Sequence, residues 1–162
     1  MKKIFVTLVV FIACQGIFAQ NIDNLFSHFK EKNGAEYVNI PPIMLKLGRL
    51  FMDKDEADYR FIKGINSVQV LDMEDCSSAI RKDFQHEVNQ LELHGYETLV
   101  QTKEKDETVK LIAKMDNDTI RELIVVVTGK DECALTRLKG KIKKEDINVM
   151  MTEDKIMIDG RK

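Results

Sequence analysis

Histidine, cysteine and carboxylate side chains are the groups in this sequence that could hold a metal ion or catalyse a reaction. His86 and His94 lie eight residues apart on a predicted helix, whereas two imidazoles that share a zinc ion on a helix are four residues apart. Cys76 begins the same helix, a position that can lower the pKa of a thiol, but no base is identifiable near it in the sequence. We therefore expect no metal site, no cofactor and no catalytic residue.

A run of carboxylates before the third predicted helix offers the oxygen ligands that calcium prefers. A calcium loop of the EF-hand type needs a glycine at its sixth position, and Asp58 occupies that position here. Acidic side chains also stabilise the first turn of a helix, so we interpret the run as a helix start. The four carboxylates are Asp53, Asp55, Glu56 and Asp58.

The densest patch of one charge lies on the last predicted strand and just after it. Alternation along that strand turns Leu138 and its even-numbered neighbours toward the core and the cations toward solvent. Lysines on an edge strand discourage strand-to-strand aggregation, which is the simpler explanation of this ribbon. The functional alternative is an anionic partner: a lipid headgroup, a polysaccharide or an acidic protein surface of the cell envelope. The candidate partner-binding residues of this basic ribbon are Arg137, Lys139, Lys141, Lys143 and Lys144.

The N-terminal residues have the order of an export signal. Lys2 and Lys3 precede an apolar stretch, and the small residue Ala19 precedes Gln20, so we expect a signal peptide over residues 1–19. The stretch is shorter than the roughly 20 apolar residues that a membrane-spanning helix needs. The sequence therefore predicts an exported protein, periplasmic or associated with the outer membrane.

A second interpretation of the same segment stays open. Phe11-Ile12-Ala13-Cys14 has the form of a lipoprotein box, in which Cys14 becomes lipidated and tethers the chain to a membrane. Contact with a membrane is expected only in that lipidated form.

Removal of the signal sets the composition of the mature chain. We expect one domain over residues 20–151, followed by a polar tail, 152–162, that frays. The chain has 25 Lys plus Arg and 27 Asp plus Glu, and the signal removes two lysines, which leaves a net charge near −4. This charge argues against a nucleic-acid partner. Cys76 and Cys133 could form a disulfide in an oxidising compartment, although two separate thiols are the favoured interpretation.

Hydrophobic spacing predicts four helices and six strands, and Lys144-Glu145-Asp146-Ile147 indicates a short closing helix after them. Apolar residues three and four apart indicate helices, whereas runs rich in β-branched residues, bounded by turn residues, indicate strands. The predicted helices are 22–29, about 42–52, 53–62 and a long one between Asp75 and Gly95. The predicted strands are 37–40, 68–71, 96–102, 108–115, 119–128 and 134–142.

These elements predict an α+β fold. The expected architecture has two layers: a mostly antiparallel sheet, ending in a four-strand meander, with the helices packed on one face. The strand at 123–127 is apolar on both faces, so we expect it to be central.

Two segments near the C-terminus carry a resemblance to a known family. Glu122-Leu123-Ile124-Val125-Val126-Val127-Thr128-Gly129 and the segment 135–142, with its Leu-x-Gly-x-Ile ending, resemble the exported bacterial family catalogued as domain of unknown function 4252. The resemblance implies an exported α+β domain, without catalytic residues to carry over, and suggests a link to envelope signalling.

The sequence leaves three functions open. The leading hypothesis is a non-catalytic interaction domain of the cell envelope, with an envelope protein or an anionic surface as its partner. The second is a periplasmic carrier of a small apolar ligand, in a pocket lined by Met44, Phe51 and Met115. The third is an enzyme of unknown class.

Overall fold

The computed structural model describes residues 21–50, 57–91, 93–145 and 147. Several expectations concern residues outside these ranges. They are the signal peptide at 1–19 with Cys14, Phe51 of the apolar pocket, the carboxylates of Asp53, Asp55 and Glu56, and the tail at 152–162.

The described residues include four helices and six strands at the positions that the hydrophobic spacing predicts, and Lys144, Glu145 and Ile147 are helical where the closing helix is expected. The helices are α1 (Ile22–Phe29), α2 (Pro42–Arg49), α3 (Ala57–Gly64) and α4 (Ser78–Asn89). The strands are β1 (Glu36–Ile40), β2 (Ile65–Asp72), β3 (Glu97–Glu104), β4 (Glu107–Asp116), β5 (Thr119–Thr128) and β6 (Cys133–Lys143). None of the described helices is long and apolar enough to cross a membrane.

Local chemistry accounts for the helix ends. The Asn21 side chain accepts a hydrogen bond from the backbone N–H of Asn24 at 2.9 Å, which caps α1. The cap of α4 is Ser77, whose hydroxyl accepts from the N–H of Ile80, so the helix begins three residues after Asp75. Gly34 ends the turn after α1 with φ +85°, a left-handed conformation that glycine adopts without steric cost.

The six strands form one antiparallel sheet in the order β1-β2-β6-β5-β4-β3. Strands β3 to β6 are neighbours in chain order, which confirms the four-strand meander. The α+β class and the interior position of β5 are also confirmed. Strand β6 lies between β2 and β5, so the expectation that it is an edge strand is wrong.

Helices α1 and α4 pack on the first face of the sheet and bury the larger cluster of apolar side chains. Phe29 of α1 and Phe84 of α4 meet edge to face, with ring centroids 5.2 Å apart. His28 Nδ1 and Glu87 Oε1, 2.7 Å apart, form a polar contact between the same two helices. The fully buried strand residues beneath these helices include Leu71, Ile124 and Leu135.

The second face carries a smaller cluster, to which α2 and α3 contribute Leu45 and Phe61. Adjacent residues of a strand point to opposite faces, so Leu123 belongs to this cluster and Ile124 to the first. The predicted packing of helices on one face therefore describes α1 and α4, whereas α2 and α3 lie against the other face. The inner strands are apolar on both sides because both sides are covered.

The glycine of the Leu-x-Gly-x-Ile segment is explained by a backbone contact. A Cβ added to Gly140 would stand 2.0 Å from the carbonyl oxygen of Gly64, at the end of α3. The pairing of β6 with both neighbours shifts register close to this point. Gly140 therefore lets α3 pack directly on the backbone of β6.

Candidate functional site

The first residue of the predicted basic ribbon, Arg137, is buried. Its side chain is 5% exposed, and its Nε donates to Glu122 Oε1 at 2.6 Å. One Nη1 hydrogen bond reaches Asp23 of α1 at 2.5 Å, and the same atom lies 3.4 Å from Gln69 Oε1. Arg137 cannot belong to an exposed ribbon, because the strand that carries it is covered on the face to which it points.

The charges around Arg137 shift the pKa values of its neighbours. Its hydrogen bond to Asp23 lowers the pKa of that carboxyl, against the opposing effect of partial burial. Burial, and then the nearby Glu122 carboxylate, raise the pKa of Tyr96 to about 12. Burial opposes the charge of Arg137 itself, but its two carboxylate partners outweigh burial and raise its pKa. The cluster is a structural ion network that fixes α1 to the sheet.

The other four residues of the basic ribbon are more accessible. Lys139 is half-buried, and the remaining three are exposed on the last residues of β6 and just after it. Partner binding by these lysines stays a prediction. The four are Lys139, Lys141, Lys143 and Lys144.

A larger basic surface lies on the first face of the sheet, in a groove between α4 and strands β3 and β4. Its volume is about 880 Å³. It exists because α4 covers the middle strands and leaves the first face of the β3–β4 hairpin open. Cross-strand pairs place Gln101 beside Lys110 and Lys103 beside Thr108 on this open face.

The groove is strongly cationic although the whole chain carries a small negative charge. Six cations and one carboxylate, Asp106, line it. Among the described residues, none of the five lysines of the groove forms an ion pair within 4.0 Å. Amide and hydroxyl groups, including those of Gln85 and Thr128, supply further hydrogen-bonding atoms. The cations are Arg81, Lys82, Lys103, Lys105, Lys110 and Lys130.

Acidic side chains border the groove at one end. The β3–β4 and β5–β6 turns meet there and bring Glu104, Glu107 and Glu132 next to Lys105 and Lys130. The positive charge is therefore concentrated farther in, where the α4 wall faces the β3–β4 wall.

Hydrogen bonds hold the α4 wall of the groove in place, and the ladder between β3 and β4 holds the other wall. Arg81 of α4 donates through Nε to the Lys130 carbonyl at 3.1 Å and also bonds the carbonyls of Glu74 and Cys76. Gln85 Nε2, one turn further along α4, donates to the Gly129 carbonyl at 2.5 Å. These bonds fix α4 to the β5–β6 turn, so the groove is preformed.

Both cysteines lie in the core beneath the same end of α4. Cys76 and Cys133 are buried and free in the structure. The Cys133 thiol lies 3.5 Å from the Gly129 carbonyl, to which it can donate a hydrogen bond. Burial raises the pKa of the Cys76 thiol, the opposite of what a nucleophilic cysteine needs. The sequence favours two separate thiols over a disulfide between them, and the choice between these alternatives stays a prediction.

The structure places the two described residues of the predicted apolar pocket in different surroundings. Met44 is 60% exposed on the outer side of α2, and Met115 packs in the second cluster. A cavity of about 220 Å³ lies elsewhere, between the end of α4 and the first face of the sheet, with Val88, Tyr96 and Ile112 among its lining. In the described ranges, no group of three or more His, Cys, Asp or Glu side chains could hold a metal ion.

The groove is the candidate site that sequence reasoning missed. Its cations come from α4, β3, β4 and two turns, so no segment of the sequence shows them as a cluster. One signal was available: Lys110 alternates with apolar residues along β4, which placed it on the opposite face from Leu111. The unknown was which helix would lie beside that face.

The fold and the groove together define the class of this chain. It is a small α+β protein with one open antiparallel sheet and a preformed cationic groove on one face. Residues 29–150 match the family described as Domain of unknown function (DUF4252), and the chain belongs to that family. This confirms the resemblance seen in the β5 and β6 segments. Neither a curated protein nor a solved structure matches the chain.

Proposed function

We propose that this protein is an exported, non-catalytic interaction domain of the cell envelope that binds an acidic polysaccharide through the groove beside α4. The observation that carries the proposal is the charge of the groove: six cations and one carboxylate, in a chain with more acidic than basic residues. Unpaired cations that line one concave surface attract a polyanion and raise its local concentration.

The shape and the lining of the groove favour a flexible polymer over a flat surface. A bilayer cannot enter a concavity bounded by a helix and a sheet, whereas a sugar chain can. The side chains of Gln101 and Thr128 can hydrogen bond to sugar hydroxyls, between lysines that meet the acidic groups. Because Arg81 and Gln85 hold α4 in place, little ordering of the protein accompanies binding.

The test is charge reversal on both walls of the groove, with a matched control elsewhere. Lys82→Glu with Lys103→Glu changes one exposed residue of α4 and one of β3. Lys141→Glu with Lys143→Glu makes the same change in net charge at the exposed end of β6. Isothermal calorimetry with dextran sulfate, and with neutral dextran, measures binding by each form at 0.15 M salt.

We expect the wild type to bind dextran sulfate and not neutral dextran. The groove variant should bind at least about tenfold more weakly. The two new glutamates would repel the sulfate groups that Lys82 and Lys103 attract in the wild type. The β6 variant should stay within about twofold of the wild type, because the proposal assigns binding to the groove; a loss in the β6 variant alone would assign it to the basic ribbon and refute the groove. Equal losses in both variants would mean that net charge alone drives binding and would refute the groove. Preferential binding of polyglutamate would assign the groove to an acidic protein instead.

The cellular part of the proposal has its own test. Fractionation of the cells that make the protein should locate it outside the cytoplasm, and N-terminal analysis of that fraction should find Gln20 as the first residue. A lipid on Cys14, detected by palmitate labelling and absent from Cys14→Ala, would show that the chain is tethered to a membrane and not cleaved after Ala19. A chain that retains residues 1–19 in the cytoplasm would contradict export.

A further inference from the structure

The exposed large apolar side chains of the described part of the chain all fall between residues 38 and 50. Three of them, Ile43, Met44 and Leu47, lie along one side of α2 and are 62%, 60% and 54% exposed. Leu50, 76% exposed, continues the same side just after the helix, and Val38 of β1 is 50% exposed. A concentrated apolar surface of this kind marks an interaction site more often than scattered single residues do.

The opposite side of α2 is fixed to the sheet, so the exposed side has a defined orientation. Leu45 packs in the second cluster. Arg49 donates to the Lys63 carbonyl at 2.9 Å and lies 3.4 Å from the Ile65 carbonyl, which ties the end of α2 to α3 and β2. The apolar stripe of Ile43, Met44, Leu47 and Leu50 is thus presented outward by a helix held in place.

The charges of this segment select among the possible occupants. Between Glu36 and Asp53 the chain has two cations, Lys46 and Arg49, and no acidic residue. Arg49 is turned toward α3 and β2 by its hydrogen bonds, so Lys46 is the cation beside the stripe, and a second copy seated there would offer it no carboxylate from this segment. Helices that lie on membranes have this composition, an apolar stripe flanked by Lys or Arg that meets anionic headgroups.

We propose that α2 docks on the surface of an anionic lipid bilayer, with the apolar stripe inserted at the boundary of headgroups and acyl chains and Lys46 at the headgroups. This contact does not require a lipid on Cys14. It uses the second face of the sheet, whereas the groove proposed to bind polysaccharide lies on the first face. A result that refutes one of the two proposals therefore leaves the other standing.

Sedimentation with vesicles tests the docking. The vesicles contain equal parts of phosphatidylglycerol and phosphatidylcholine, or phosphatidylcholine alone. All forms are expressed from the full sequence with Cys14→Ser, so that no lipid can be attached, and are purified after processing. Mass spectrometry establishes that all preparations share one N-terminus. The test variant is Met44→Gln with Leu47→Gln. The matched control is Met44→Leu with Leu47→Met, which keeps the apolar surface.

We expect the parent protein to bind the anionic vesicles more tightly than the neutral ones. The glutamine variant should bind at least about tenfold more weakly, because two exposed apolar side chains no longer enter the bilayer. The exchanged variant should stay within about twofold, and circular dichroism should show all forms folded. Equal binding by the glutamine variant, or no binding by the parent, would overturn the proposal. A parent dimer that becomes a monomer in the glutamine variant would assign the stripe to a second copy and also overturn it.

Discussion

The buried ion network around Arg137 makes the strongest prediction about stability. Glu122 is 11% exposed and its partner Arg137 is 5% exposed, so Arg137→Met leaves a carboxylate buried without its charge partner. Removing one member of a buried pair costs about 3–5 kcal/mol of unfolding free energy. Tyr96 still hydrogen bonds to Glu122 in this variant and partly stabilises the unpaired carboxylate. We therefore expect a loss of unfolding free energy near the lower end of that range, about 3 kcal/mol.

Loss of the contact between Arg137 and Asp23 costs less unfolding free energy. The Asp23 side chain is 69% exposed, and an ion pair open to solvent contributes about 1 kcal/mol or less. A matched exposed pair exists in Arg121 and Asp116, whose side chains are 41% and 55% exposed. Arg121→Met should therefore cost less than about 1 kcal/mol.

Urea unfolding followed by circular dichroism measures these differences, with a double variant to separate charge from packing. In Arg137→Met with Glu122→Leu, the uncompensated carboxylate is gone, and stability should return to within about 1–2 kcal/mol of the wild type. The reasoning is refuted if Arg137→Met costs no more than Arg121→Met. It is also refuted if the double variant is less stable than Arg137→Met alone, because burial of an unpaired charge would then not be the cause.

Two further predictions concern backbone packing and pH. Gly140→Ala should destabilise the protein by about 2 kcal/mol or more, because its Cβ would meet the Gly64 carbonyl oxygen at 2.0 Å. The control Gly48→Ala, in α2 with nothing within 4 Å of its Cβ, should be neutral or stabilising by up to about 1 kcal/mol; a loss equal to that of Gly140→Ala would contradict the contact. The pKa of Asp23 is lowered in the folded state, so its contribution is present above the ordinary value near 3.8 and is lost as pH falls through the lower folded pKa. Unfolding curves from pH 6 down to pH 2.5 should show a shallower loss in Asp23→Asn, and identical profiles would count against the pair.

The elements could be predicted from sequence because each has a strong local period. The buried residues of α1, from Ile22 to Phe29, are the ones that the helical spacing selects. The run Leu123–Val127 predicts an inner strand, since only a strand covered on both faces is apolar on both. These inferences need no knowledge of which element lies beside which.

The position of β6 could not be predicted in this way. Alternation along a strand shows which residues share a face, but it does not show which strands are its neighbours. The burial of Arg137 depends on Glu122 and Asp23, which are 15 and 114 residues away in the chain. A charged side chain indicates exposure unless the fold brings it charged partners that are distant in the sequence.

The groove could not be predicted for the same reason: the sequence does not show which part of the sheet each helix covers. On β4 the residues of the first face change from Ile112, packed against the first cluster, to Lys110 and Thr108 in the groove. The change marks where α4 stops covering the sheet, because an uncovered face exposed to water carries polar side chains. The sequence contains this change of character, but only the packing of α4 explains it.

The two proposed surfaces are compatible because a sheet separates them. The groove lies on the first face beside α4, and the apolar stripe lies on α2 against the second face. In the proposed arrangement, docking of α2 on a bilayer leaves the groove open to solvent, so a polysaccharide and a membrane could be held by one molecule. Such bridging requires only that the sheet be rigid, and the buried contacts of β5 and β6 on both faces provide that rigidity.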